Sequence, residues 1–169
     1  MVNDEDISKF SGYFINQLRE FHESINAPND LLIFVLRFHL LIENTLERII
    51  IGSLPRGAKL ITTARLSFGQ KLAIVDALGV LDENLVLSIG RLNSLRNKCA
   101  HKRKIKVTLE EIDPISEPLG ERLSTVPLDP DQDPSQPELN AAVLATAFFG
   151  SHIYSKLILI LVQLESPEP

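Results

Sequence analysis

A single cysteine, Cys99, stands in a chain of 169 residues, which excludes an intramolecular disulfide and a cysteine-based metal cluster and fits a reducing, cytoplasmic setting. Also missing is the basic start and apolar run of an export signal, because the first ten residues, MVNDEDISKF, are acidic. No apolar run is clean enough to read as a membrane span. The greasiest stretch, 139–164, is interrupted by Asn140, His152, Lys156 and Gln163, and is expected to be a buried core helix. No internal repeat is visible. Acids are absent from 91–106, where seven cations stand: Arg91, Arg96, Lys98, Lys102, Arg103, Lys104 and Lys106. Bases then become scarce, since 107–169 hold eleven acids against Arg122 and Lys156. A chain of formal charge -5 therefore segregates its charge, and the local basic potential can still draw a polyanion.

What is present is apolar periodicity. With 44% hydrophobic residues the chain can bury one continuous core, and a single soluble domain over 1–169 is expected. Five helices are predicted, giving an all-α bundle. The first covers about 5–25 through Phe10, Phe14, Leu18 and Phe21. The second, about 30–51, is apolar almost all round, as a central helix is. The third opens on the capping-box pattern Ser67-Phe68-Gly69-Gln70 and closes at Gly79. Asp82 caps the fourth, which runs to about His101. An irregular, acidic, Pro-rich connection is expected over about 102–137, long enough to suggest a functional segment. Pro137 suits the first turn of the fifth helix, which continues to about Leu164.

Several polar residues fall on apolar faces. Counting about 100° per residue from Leu85, Ile89 falls near 40°, Leu92 near 340° and Arg96 near 20°. Arg96 thus points toward the core and needs a partner. The same projection from Leu36 on the second helix places Leu40, Glu43 and Glu47 within about 40° of one line. A buried bidentate pair of Arg96 with Glu43, or failing that Glu47, is expected. Asn93, Asn97 and His101 follow at steps of four and form a polar ridge on which Asn97 can meet His101. On spacing alone the structural account comes first: an ion pair, a packing asparagine, and a histidine favoured by the helix dipole.

The segment Leu92-Asn93-Ser94-Leu95-Arg96-Asn97-Lys98-Cys99-Ala100-His101 resembles the signature of the HEPN superfamily, an arginine and polar residue followed, after a short spacer, by histidine at a helix end. Leu41-Ile42-Glu43-Asn44-Thr45-Leu46 resembles the acidic second helix of those bundles. The resemblance implies a HEPN-like bundle that dimerises through the motif helices, and a metal-independent endoribonuclease of the toxin or antiphage-effector kind, without cofactor and with a neutralising antitoxin as possible partner. It implies catalytic roles for Arg96, Asn97 and His101, with Glu43, Glu47 and Asn93 in support. His101 would move a proton at the 2′-hydroxyl or the leaving 5′-oxygen, and Arg96 would stabilise phosphorane charge, leaving a 2′,3′-cyclic phosphate. Lys98, Lys102, Arg103, Lys104 and Lys106 would attract RNA phosphates, although a solvated charge run is the other reading of that stretch. Arg103 stands where one branch of the family has a tyrosine, so silencing through that tyrosine is not expected. The stretch from Phe68-Gly69-Gln70-Lys71-Leu72 through Leu78-Gly79 is also similar to the mannitol-operon repressor group, which keeps a non-catalytic regulatory, protein-binding module as the alternative. His39 reads as a satisfied core or interface histidine, His22 as a surface one, His152 as lacking the acid of a triad, and Cys99 as packed.

Overall fold

The longest helix, α1 (Leu31–Ser53), starts where the Asp30 carboxylate accepts the Leu32 amide at 2.8 Å, and Phe34, Phe38, Ile42, Leu46 and Ile49 along one side are fully buried. The computed structural model describes residues 30–101, 106–126 and 137–165, with isolated helical positions 12, 15, 16, 19 and 23. Phe10, Phe14, Leu18 and Phe21 of the first predicted helix lie outside the described residues. Among those described there is no strand, and the class is all-α, as expected.

After α1 the chain doubles back into α2 (Gly57–Ala64), which periodicity did not announce. The turn requires glycine, since a Cβ at Gly57 would collide with the Ile50 carbonyl. The next helix, α3 (Phe68–Ala77), carries both halves of the expected capping box: Ser67 Oγ accepts the Gln70 amide and Gln70 Oε1 accepts the Ser67 amide. Gly79 follows at φ +68°, the left-handed stop expected of it. Helix α4 (Glu83–His101) begins at Asp82, whose carboxylate accepts the Leu85 amide at 2.8 Å.

The 102–137 stretch is not wholly irregular. It contains α5 (Leu109–Ser116) and two short 3₁₀ turns, Glu117–Leu119 and Leu123–Thr125. Ile112 and Ile115 are buried, and donors from α4 satisfy the end of α5: Ser88 Oγ donates to the Ile115 carbonyl and Arg91 to the Pro114 carbonyl. The last helical rod starts at Pro137, as predicted, but is not uniform. Helix α6 (Pro137–Phe148) passes through a π-helical turn, Phe149–Tyr154, into α7 (Ser155–Glu165). Val143–Leu164 is long and apolar enough to cross a membrane by length and composition; here Phe149, Ile153, Leu157 and Leu161 are fully buried in the core. Phe149 stacks on Phe34 and Phe38, with ring centroids 5.4 and 4.8 Å away.

Candidate functional site

Three contacts set the direction of the helices around Arg96. The His39 ring of α1 stacks on Phe68 at the start of α3, with centroids 4.2 Å apart. One turn on, Lys71 reaches Glu43 at 2.5 Å and Glu47 at 2.6 Å, so α3 runs the same way as α1. Helix α4 returns against both, because Asn93 meets His39 while the earlier Gly90 lies beside Leu72. Moving along α4 from Asn93 to Arg96 therefore moves away from Glu43.

This geometry overturns the expected Arg96 pair with Glu43 or Glu47. Among the described residues no carboxylate reaches Arg96, and its hydrogen bond goes to the neighbouring Asn97, Nη1 to Oδ1 at 3.3 Å. Two physical reasons combine. A helical projection fixes an angle but not a height, and antiparallel packing separates the two groups in height. The projection also started on the wrong side of α1, for Leu36 is 37% and Leu40 58% exposed, and the true core face follows Phe34, Phe38 and Ile42. Glu43 and Glu47 consequently sit at the boundary, where Lys71 takes both.

Lys71 is buried. Burial alone would lower its pKa, but the hydrogen bonds and charges of Glu43 and Glu47 outweigh it and raise the value above 10.5. Sequence reasoning passed over this residue. The signal was the spacing Phe68, Lys71, Leu72, Val75, which sets a lysine among buried positions. His39 is satisfied, as expected, and is better placed than that reading implied: Nε2 donates to Asn93 Oδ1 at 3.1 Å. Its pKa falls below 6.5, chiefly through burial and further through the charges of Arg96 and Lys71, against the Asn93 hydrogen bond and Glu43. The ring is thus held neutral with its proton on Nε2.

Asn97 and His101 are exposed on the last turns of α4. The expected contact between them does not form, since the Asn97 carbonyl oxygen is turned to Arg96. The basic stretch is also less available than its composition suggested. Lys98 is no open phosphate contact: its ammonium is held by both oxygens of Glu111, at 2.6 and 2.8 Å. Arg91 is likewise held by Glu117 at 2.9 Å. The acids following the basic stretch fold back on it, which the charge segregation in the sequence allowed. Lys106 is exposed, and Lys102, Arg103 and Lys104 lie outside the described residues. Cys99 is packed, and burial, aided by Glu111, pushes its thiol up and away from nucleophilic use.

Among the described residues no group of three or more His, Cys, Asp or Glu side chains has the geometry of a metal site. An open cavity of about 760 Å³, lined by Asp82, Glu83, Asn84, Leu119, His152 and Lys156, lies at the start of α4. That places it about 25 Å along the helix from His101. Lys156 and Asp82 pair across it at 3.3 Å. Compared with protein-family models, curated proteins and solved structures, the chain finds no match.

Proposed function

We propose that the Arg96, Asn97 and His101 end of α4 is an RNA-cleaving site, and that the protein is a metal-independent endoribonuclease of the HEPN kind that its motif resembles. The observation that carries this reading is the state of Arg96. A half-buried guanidinium facing an amide oxygen instead of a carboxylate keeps its planar fork for an anion, and a phosphodiester fits that fork. The exposed His101 lies five residues further on. In the proposed reaction an imidazole takes the 2′-hydroxyl proton, O2′ attacks phosphorus, and the P–O5′ bond breaks as the leaving oxygen is protonated. Arg96 stabilises the added charge and Asn97 holds Arg96 in place. A homodimer with two such sites facing one cleft would supply a second imidazole, so that one acts as base and the other as acid.

The test is RNA cleavage by purified protein and its variants. His101→Ala should lower the rate by about 10²–10⁴-fold, and Arg96→Lys should fail as well, because a point charge replaces the fork. Chelator should leave the rate unchanged. Intact RNA under every condition, or cleavage indifferent to His101→Ala, would remove the nuclease reading. The second reading, a regulatory protein-binding module, is favoured by one observation: Leu36 and Leu40, on either side of His39 in sequence, are exposed on α1.

A further inference from the structure

Lys98 and His101 both stand in the last turn of α4, three residues apart and so neighbours on its surface. An RNA strand with a phosphate at His101 would find Lys98 beside it. That ammonium is already taken, because Glu111 of α5 holds it with both carboxylate oxygens, at 2.6 and 2.8 Å, as a phosphate would. Other contacts keep Glu111 in place. Ile112 and Ile115 are buried, Ser88 donates to the Ile115 carbonyl, and Arg91 donates to the Pro114 carbonyl at 2.6 Å and pairs with Glu117. Helix α5 is thus fixed to α4 by its apolar side and its far end, while the Lys98 pair lies at the surface with side chains 41% and 33% exposed. The other acids of α5 are used differently. Asp113 accepts the Ser124 amide at 3.0 Å and the exposed Glu110 bonds to Thr108, so that among the described residues neither holds a cation of α4.

We infer that Glu111 is a built-in competitor of the proposed site, a carboxylate that occupies the Lys98 ammonium and so weakens the hold of the α4 end on RNA phosphate. The inference rests on the RNA reading of that end and adds the contact that sets its affinity. No movement of α5 is needed: neutralising Glu111 frees the ammonium, while the buried isoleucines and the bonds from Ser88 and Arg91 keep the backbone where it is. Lys98 then makes a phosphate contact that the wild-type chain withholds.

The experiment measures binding of a fluorescent 2′-O-methyl oligouridylate, which has no 2′-hydroxyl to attack and so stays intact, by anisotropy at fixed salt. Full-length wild type is compared with Glu111→Gln, Glu110→Gln, Lys98→Gln and the double variant Lys98→Gln/Glu111→Gln. Glu111→Gln should tighten binding about threefold, the worth of a half-exposed ion pair. Glu110→Gln makes the same change in net charge without freeing a cation of α4 and should bind as wild type does. With Lys98 already replaced, neutralising Glu111 should change nothing. Equal tightening by Glu110→Gln, tightening that persists without Lys98, or an unchanged affinity of Glu111→Gln overturns the inference, and so does an oligonucleotide that binds neither wild type nor Glu111→Gln. Should Glu111→Gln fail to fold by circular dichroism, Glu111→Ala must give the same threefold gain, and a wild-type affinity there is equally decisive against it. Cleavage of unmodified RNA separates the two ideas. If Glu111→Gln tightens binding through Lys98 while no variant cleaves, the nuclease reading falls and the competitor stands. If cleavage depends on His101 while binding is indifferent to Glu111, the competitor falls and the nuclease reading stands.

Discussion

His39 carries a titratable ring into a place where charging it is unfavourable for two reasons. Burial opposes the imidazolium, and so do Arg96 from α4 and Lys71 from α3; only Glu43 and the Asn93 carbonyl favour it. A folded pKa below the unfolded value means that the unfolded chain binds the proton first. The stabilisation from neutral His39 is therefore present in full above about pH 6.5 and is lost as pH falls from there through the folded value. His39→Gln keeps a donor for Asn93 without titrating, so urea midpoints measured across this range should fall more steeply for wild type than for the variant. Parallel curves would show that His39 does not titrate differently on folding. The residue scale is also where the sequence is least legible. Projection sets Arg96 on a core-facing stripe but cannot name its partner, because α1 is apolar almost all round and gives a helical projection no unique phase. Spacing sets Asn93 on one ridge with Asn97 and His101, but its partner is His39, on another helix, and sequence spacing within one helix cannot show that.

Helix ends were legible where local chemistry decides them. Ser67 with Gln70, Gly79 and Asp82 all act through bonds within a few residues. The two helices missed in the sequence depend on partners far along the chain. Helix α2 starts where Gly57 lies against Ile50, and α5 holds a proline and ends on side chains donated by α4. The π turn of the last helix, Phe149–Tyr154, leaves no gap in the apolar pattern, since Phe149 and Ile153 within it are both buried. One prediction belongs to the pairing of α4 with α5. Lys98 and Glu111 are 41% and 33% exposed, so Glu111→Gln should cost less than about 1 kcal/mol of stability while releasing Lys98. If RNA binds this face, the salt dependence of its affinity should steepen by about one phosphate contact. Filter binding across a salt series reads that slope, and an unchanged slope would place the RNA elsewhere.

For the whole molecule, the exposed ridge of Asn97 and His101 and the exposed Leu36 and Leu40 suit an isologous two-fold interface. Sedimentation equilibrium at micromolar concentration should find a dimer, and Leu40→Asp should dissociate it without lowering monomer helicity by circular dichroism. A wild-type monomer at those concentrations would count against the two-site cleft. The bundle also has two poles. Because α4 returns antiparallel to α1, His101 stands toward the Leu31 end of α1, whereas Leu164 of α7 packs at the opposite end beside Gly52. A fluorophore or surface tether attached to α7 near Leu164 would sit about 25 Å from the Arg96 end, measured by helical rise along α1. The protein can therefore be immobilised by one pole and probed at the other, with the Arg96 end left facing solution.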